Sequence, residues 1–179
     1  LGASVNGQRV IVCDEQAEFG GALLAEPGVT IDGWAAPDWV AEVIRTLSGT
    51  VTLLPRPTAF GWYADNLIGL AQRVTDHLPD GDASLPRECL WHVRAARVVL
   101  ATGAMERPQV FPGNDRPGIM LAGAARTYLN RYGVIPGRQV LIATADDTAY
   151  LAAADLHAAG VTIAAIADQR ADPSGEAVE

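Results

Sequence analysis

Two adjacent carboxylates followed by a pair of glycines predict a nucleotide site early in this chain. Asp14 and Glu15 come directly after the apolar run 9–13, which predicts a short parallel strand, and Gly20-Gly21 follow a few positions later. A carboxylate at a strand end accepts hydrogen bonds from the ribose of adenosine and repels a 2′-phosphate, so it favours NAD or FAD over NADP. Glycines let a phosphate approach the backbone. A solvated acidic turn and a plain tight turn are the alternative interpretations.

A second candidate is the triplet Ala101-Thr102-Gly103, which ends the β-branched run 98–100. The run predicts a buried strand, and in open α/β sheets ligands bind just outside the carboxyl ends of strands. Small residues there would let a ligand contact the backbone. Arg107 follows closely, and its guanidinium could reach a cofactor phosphate. The alternative is a core strand that simply ends in a glycine turn.

The second half of the chain repeats a strand–helix–strand pattern without the glycines. Its strands are predicted at 139–144 and 161–168, with a helix at about 148–159. Where a nucleotide-binding domain would carry glycines, this chain has Asp146-Asp147. Carboxylates suit the positive end of a helix dipole but would repel a pyrophosphate. Asp168 holds the position of a ribose-binding acid, and we interpret it as vestigial. This half is predicted to bind no dinucleotide.

The remaining pattern supplies the elements that would position these residues. Together they predict an α/β, Rossmann-like FAD/NAD(P)-binding fold with three layers, a largely parallel sheet, a small β-hairpin layer, and its first β-α unit missing. We expect the trailing part of a dinucleotide-binding domain at 1–118, a smaller βαβ lobe at 119–170 and a disordered tail at 171–179. The other predicted elements are a helix at 39–47 with Asp38 as its N-cap, strands at 51–54, 60–63, 66–72 and 89–95, and a helix at 121–132 ended by Gly133.

Composition excludes several classes of partner. The 179 residues carry 13 basic and 21 acidic side chains, a net charge of −8, which argues against nucleic acid or an anionic membrane as partner. No apolar run approaches the ~18 residues of a transmembrane helix. Cys13 and Cys89 lack metal-ligand spacing and are predicted to be buried free thiols, which fit a reducing, cytoplasmic location. The three histidines are interpreted as surface or sheet residues rather than metal ligands or catalytic groups: His77, His92 and His157.

Three segments carry a resemblance to a known family. They are Ala-Thr-Gly-Ala-x-Glu-Arg-Pro at 101–108, Pro-Gly-Asn-Asp-Arg-Pro-Gly at 112–118, and Ala-Ala-Arg-Thr-Tyr-Leu-Asn-Arg-Tyr-Gly at 124–133. With them the chain resembles the α subunit of heterotetrameric sarcosine oxidase, one of the flavoproteins with two dinucleotide-binding domains. The resemblance extends from about Arg9 to Arg170. The first segment is also similar to subunits of opine oxidase and hydrogen cyanide synthase.

The resemblance implies an oxidoreductase subunit. Sarcosine oxidase demethylates sarcosine oxidatively with O₂ and tetrahydrofolate, so the expected partners are the other subunits, with tetrahydrofolate at another domain. It implies NAD in this region, with FAD and FMN elsewhere in the complex, and no catalytic or metal-binding residue here. The expected cofactor-binding residues are Asp14, Glu15, Gly20, Gly21, Ala101, Thr102, Gly103 and Arg107.

Two other functions stay open at this point. The region could bind FAD in a related amine or opine oxidoreductase, or it could be a degenerate scaffold that binds no nucleotide. The chain carries no Gly-x-Gly-x-x-Gly before Arg9, where the family has one, and Leu1 to Gly7 is interpreted as the end of the helix that follows it. The sequence is therefore expected to be an N-terminally truncated fragment that is inactive and binds NAD weakly by itself.

Overall fold

The computed structural model describes residues 7–173 and groups them into two compact units. The first unit contains residues up to Leu23 and Gly28–Gly103, and the second contains Leu24–Pro27 and the chain from Ala104 onward. The domain limits expected at residues 118 and 170 stay predictions. The predicted helix end at 1–6 and the tail at 174–179 lie outside the described residues.

The first unit contains a parallel strand pair linked by a helix. Strand β1 (Ile11–Asp14) pairs in parallel with β4 (Thr52–Pro55), and the chain between them forms the hairpin β2 (Thr30–Ile31) and β3 (Trp34–Ala35) and then helix α1 (Ala36–Leu47). Parallel strands need a long crossover of this kind, because a tight turn cannot join them. Val40 of the helix and Leu54 of β4 are both buried.

Helix α1 begins earlier than the sequence predicted. Its N-cap position is Ala35, Pro37 lies in the first turn, and Asp38 is inside the helix, so the prediction of Asp38 as N-cap is wrong. The reason is Pro37. Its ring presets a helical φ and it lacks an N–H that the first turn would leave without a partner, so the helix can start before it. The Asp38 carboxylate still faces the positive end of the helix dipole.

An antiparallel sheet forms the predicted small β layer. Its strands are β5 (Pro57–Tyr63), β6 (Leu67–Arg73) and β7 (Glu88–Arg94), in that order across the sheet, and a short 3₁₀ turn at Ala64–Asn66 joins the first two. Phe60 lies over Gly69, where a Cβ atom would come within 2.6 Å of the ring. Glycine at that position therefore lets the aromatic ring cover the strand.

The second unit has the strand–helix–strand order that the sequence predicted. Helix α2 (Ala122–Tyr132) precedes β8 (Gln139–Thr144), α3 (Thr148–Ala158) and β9 (Thr162–Asp168), and β8 pairs in parallel with β9. Gly133 ends α2 with a φ of +67° and donates its N–H to the carbonyl of Leu129, as predicted for a glycine stop. The α/β class with parallel strands is confirmed. Its two clusters of buried core residues contain Ala125, Ile142, Ala149, Ala153, Leu156 and Val161.

The strand predicted at 98–100 does not form. Residues 97–110 are neither strand nor helix, and Val99 and Leu100 are 87% and 70% exposed. A β-branched run favours an extended backbone, but a strand also needs a neighbouring strand to accept and donate its backbone hydrogen bonds. In the described part of the chain β1 pairs only with β4, and no strand pairs with this run.

The cysteines are free thiols, as predicted, but the prediction that both are buried is wrong. Cys13 is exposed and Cys89 is half-buried. Cys13 shares one face of β1 with Ile11, and both residues are exposed, so this face of the strand is open to solvent. Partial desolvation, followed by the charge of Asp14, raises the pKa of the Cys13 thiol, so this thiol stays protonated and weakly reactive at neutral pH.

Candidate functional site

The two acids at the carboxyl end of β1, Asp14 and Glu15, have different roles. Asp14 is the last residue of the strand, and its Oδ1 accepts a hydrogen bond from the backbone N–H of Gln16 at 3.0 Å. Its carbonyl accepts the N–H of Arg56 at 2.8 Å. Asp14 therefore stabilises the turn that leaves the strand. Glu15 is exposed, with no hydrogen bond to another described side chain, so its carboxylate is the one that a ligand could use.

The glycine pair adopts backbone conformations that other residues disfavour. Gly20 has a φ of +130° and Gly21 a φ of +54°. Gly21 opens a 3₁₀ turn (Gly21–Ala25), in which the N–H of Leu23 donates to the carbonyl of Gly20 at 3.2 Å. No atom lies within 4 Å of a Cβ built on Gly21. The turn thus requires glycine for its dihedral angles, and it leaves open space where a phosphate could approach.

The triplet Ala101-Thr102-Gly103 is exposed and lies in irregular chain. Gly103 has a φ of +71°, so the predicted need for glycine there is met, although the strand before it is absent. Among residues 7–173, no hydrogen bond joins this triplet to β1 or to the Gly20-Gly21 turn. Arg107 belongs to the second unit and is exposed. The assignment of these four residues to the cofactor site stays a prediction.

In the second unit, the turn between β8 and α3 uses its own side chains to satisfy its backbone. Asp146 Oδ1 accepts the N–H of Thr148 at 2.8 Å, and Thr144 Oγ1 accepts the N–H of Asp146 at 3.1 Å. The hydrogen bonds from Thr148 lower the pKa of Asp146, so the carboxylate is charged at neutral pH. Amides that would face a phosphate are therefore already occupied, and a negative charge lies beside them.

The acid at the end of β9 is enclosed by its own neighbours. The Asp168 side chain is only 7% exposed, and it accepts hydrogen bonds from Tyr150 Oη at 3.1 Å and from Arg170 Nη2 at 2.7 Å. Arg170 Nη1 also lies 2.7 Å from Asp147 Oδ1. The guanidinium holds the pKa of Asp168 well below its usual range, and burial raises that of Tyr150. A ribose could reach this carboxylate only by displacing Arg170.

A polar cluster in the second unit was missed from the sequence. Arg126 Nε and Asn130 Nδ2 both donate to Asp155 Oδ2, at 2.5 and 2.7 Å, and so link α2 to α3. Arg126 Nη1 lies 3.2 Å from Glu26 Oε1, and Asn130 Nδ2 donates to the carbonyl of Ala25 at 3.0 Å. The spacing of Arg126 and Asn130 could have indicated that they bind a common partner, because residues four apart share one face of a helix.

The described residues support no metal site. Residues 7–173 contain no group of three or more His, Cys, Asp or Glu side chains that could hold an ion. The three histidines are exposed, as predicted. Within the same residues, none of the helices has the length and apolar character needed to cross a bilayer.

The chain is similar in sequence to subunits of sarcosine oxidase and of opine oxidase. The sarcosine oxidase α subunit of Rhizobium meliloti (strain 1021) is 50% identical over 172 residues, which cover 95% of this chain and 17% of that subunit. The resemblance to sarcosine oxidase α subunits is confirmed. An opine oxidase subunit from Agrobacterium tumefaciens (strain Ach5) is 32% identical over 185 residues, covering 98% of this chain and 35% of that protein. No family model matches the chain.

The matched region is a small part of these relatives, since the chain spans less than a fifth of the sarcosine oxidase α subunit it matches. A solved structure shares the fold. The crystal structure of L-proline dehydrogenase from P. horikoshii superposes with a TM-score of 0.68 and 22% identity, over 93% of this chain and 32% of that one. At this identity the superposition supports the Rossmann-like α/β fold and nothing finer.

Proposed function

We propose that this chain is the dinucleotide-binding region of an oxidoreductase subunit of the sarcosine oxidase type, and that it binds NAD. The observation that carries the proposal is the end of β1, where an exposed carboxylate, Glu15, is followed by a glycine turn with positive φ angles. The similarity to a sarcosine oxidase α subunit, at 50% identity, supports the part of the proposal that concerns the type of enzyme.

The residues at this strand end fit the adenosine part of a dinucleotide. Glu15 offers two acceptor oxygens, which match the two ribose hydroxyls. Its negative charge would repel a 2′-phosphate. Gly20 and Gly21 carry no Cβ, and at Gly21 the space that a Cβ would fill is open. Among residues 7–173, no cationic side chain pairs with the Glu15 carboxylate, whereas the Arg170 guanidinium pairs with Asp168.

In the intact enzyme the function of this region is to support oxidative demethylation of sarcosine by flavins bound elsewhere in the complex. NAD would supply a hydride-accepting nicotinamide when bound, and the residues of this chain bind and orient it. Other subunits of the enzyme are the expected partners, with tetrahydrofolate at another domain. We assign no general base or nucleophile to this region.

Two other functions have support from particular observations. The shared fold with a proline dehydrogenase and the match to an opine oxidase subunit favour FAD as a second candidate for the same strand end. The exposed irregular segment at 97–110 favours a scaffold that binds no nucleotide.

The nucleotide released from the purified full-length protein decides among these functions. We expect the mass of NAD in about stoichiometric amount after denaturation, and no flavin absorbance assignable to this region. Release of FAD from a variant that lacks the other flavin sites would favour the second candidate. The scaffold would be favoured if the wild-type protein released no nucleotide, or if it released no nucleotide that is lost in the Glu15→Ala variant.

A further inference from the structure

Arg56 has a backbone conformation that is unfavourable for arginine. It directly follows β4 and has a φ of +67°, in the left-handed region that disfavours L-residues with a long side chain. Pro57 comes next, and a residue before proline is normally held in the extended region. Glycine would adopt the same φ without strain. We therefore expect the arginine side chain to contribute something that compensates for this strain.

The other residues with a positive φ have an explanation in their own turns. Among the non-glycine residues at 7–173, Asp32, Asp65 and Asn66 share this feature with Arg56. Asp32 lies between the hairpin strands β2 and β3, and the other two lie in the turn between β5 and β6. The short Asp and Asn side chains can hydrogen-bond to the backbone nearby, which makes this region accessible to them. This explanation does not apply to an arginine.

Backbone hydrogen bonds fix Arg56 beside the end of β1. Its N–H donates to the carbonyl of Asp14 at 2.8 Å and to that of Gln16 at 3.1 Å, and its carbonyl accepts an N–H of strand β6 at 3.3 Å. In the parallel pair Asp14 is opposite Pro55, so β1 and β4 end side by side. Glu15 and Arg56 are thus the residues that follow two adjacent strand ends, and both belong to the first unit.

The guanidinium of Arg56 has no carboxylate partner in the part of the chain that the structure describes. Within residues 7–173 the Arg56 side chain forms no ion pair and no hydrogen bond, although the residue is half-buried. The Arg170 guanidinium, in contrast, pairs with two carboxylates of its own unit. Arg56 therefore combines a fixed backbone with a cationic group that is available to a ligand.

The chemistry of this position fits the adenine base of a dinucleotide. In the proposed function, Glu15 accepts the ribose hydroxyls and the glycine turn receives a phosphate, so the adjacent end of β4 remains for the base on the same ribose. A guanidinium is planar and stacks on aromatic rings. A 2′-phosphate fits less well, because the Glu15 carboxylate would repel it.

We propose that Arg56 is a ligand-binding residue whose guanidinium stacks on the adenine of the bound dinucleotide. The proposal rests on the proposed function, because it requires the ribose to bind at Glu15. It adds a residue for the base to those for the ribose and the phosphate. The fixed backbone of Arg56 reduces the conformational freedom that its side chain loses on binding, which favours arginine at this strained position.

Two substitutions in the full-length protein separate stacking from charge and from stability. Arg56→Gly removes the side chain and relieves the strain, so the melting temperature should change little while NAD affinity falls about tenfold. Arg56→Lys keeps the charge without the planar group, so it should bind NAD nearly as weakly. The matched control is Arg9→Ala, which removes an exposed arginine before β1 and should leave NAD affinity unchanged. Thermal unfolding and calorimetric titration with NAD and NADP provide the measurements.

Each of the following results would overturn the proposal. Equal NAD affinities of Arg56→Gly and wild type would exclude Arg56 from the site and leave the proposed function intact. Wild-type affinity in Arg56→Lys would indicate a charge interaction instead of stacking, and a larger loss of NADP than of NAD affinity in Arg56→Gly would assign Arg56 to a 2′-phosphate. A lower melting temperature together with weaker binding in Arg56→Gly would indicate a structural role. If the wild-type protein binds no NAD, the proposed function and this proposal fail together.

Discussion

Strand β1 in the first unit and strand β9 in the second each end at an acidic residue, but the candidate ribose-binding acid is exposed at one end and enclosed at the other. Both strands end beside a carboxylate that could accept hydrogen bonds from a ribose. At β1 the neighbouring acid, Glu15, is exposed and a glycine turn follows. At β9 the acid, Asp168, is buried against Arg170 and Tyr150.

This difference teaches that topology alone does not make a nucleotide site. A parallel strand brings its carboxyl end to the edge of the sheet, but the neighbouring side chains decide whether that end is open to a ligand. In the second unit, the Arg170 guanidinium pairs with both Asp147 and Asp168, so it occupies the carboxylate that a ribose would need. The first unit has no such internal cation on Glu15 among the described residues.

The largest effect should come from the open strand end. Glu15→Ala should weaken NAD binding by about ten- to a hundredfold, because a hydrogen bond to a charged group contributes about 1.5–3 kcal/mol. The melting temperature should change little, since Glu15 is exposed. Calorimetric titration of the full-length protein measures both affinities, with Glu88→Ala as the control for loss of an exposed carboxylate. Equal affinities of Glu15→Ala and wild type would exclude Glu15 from the site.

The closed strand end should show the reverse pattern. Arg170→Met should lower the melting temperature by several degrees, because it leaves the Asp168 carboxylate, which is 7% exposed, without its cation. Nucleotide content should not change. Thermal unfolding and mass analysis of the released nucleotide test the two halves of this prediction. A fall in nucleotide content without a fall in stability would indicate that the second unit binds the ligand instead.

The same ion pair should be visible in the pH dependence of stability. Arg170 lowers the pKa of Asp168 in the folded chain below its value in the unfolded chain. Its contribution to the free energy of unfolding is therefore complete above about pH 4 and is lost as the pH falls further. The melting temperatures of wild type and Asp168→Asn should differ at neutral pH and converge in acid. A constant difference down to about pH 3 would contradict this explanation.

The smallest effects should come from two glycines that share a positive φ. Gly21 (φ +54°) and Gly133 (φ +67°) both have open space at the Cβ position. Alanine at either position should cost about 1 kcal/mol of unfolding free energy, because L-residues disfavour this region. Only Gly21→Ala should also reduce NAD affinity, by severalfold. Equal affinities of the two variants would remove the glycine turn from the proposed site.

Much of the fold could be predicted because local patterns coincide with the elements that form. The run at 9–13 becomes β1 with small shifts at its ends, the run at 139–144 becomes β8 with the predicted bounds, and Gly133 ends its helix as expected. Period and turn chemistry act over a few residues, so they can be interpreted without knowledge of the neighbours. The candidate carboxylates at the end of β1 were predictable for the same reason.

The failures have a common cause in non-local contacts. The run at 98–100 has the composition of a strand, but strand formation depends on a hydrogen-bonding partner that composition cannot show. Glu106 belongs to a segment that the sequence singled out, yet its carboxylate accepts the backbone N–H groups of Ala122 and Gly123 on a later helix. The Arg126 cluster likewise joins residues that are distant in the sequence.

The sequence by itself determined the α/β class, the resemblance to sarcosine oxidase α subunits and the positions where acids and glycines could serve a dinucleotide. Only the tertiary structure decided which of those positions is open. Asp14 and Glu15 are adjacent and chemically alike, but the fold uses Asp14 to hold a turn and leaves Glu15 exposed. Asp168 satisfies the same sequence pattern and is closed by Arg170. The physical reason is that hydrogen bonding and charge pairing depend on distance in space, whereas a motif records only distance along the chain.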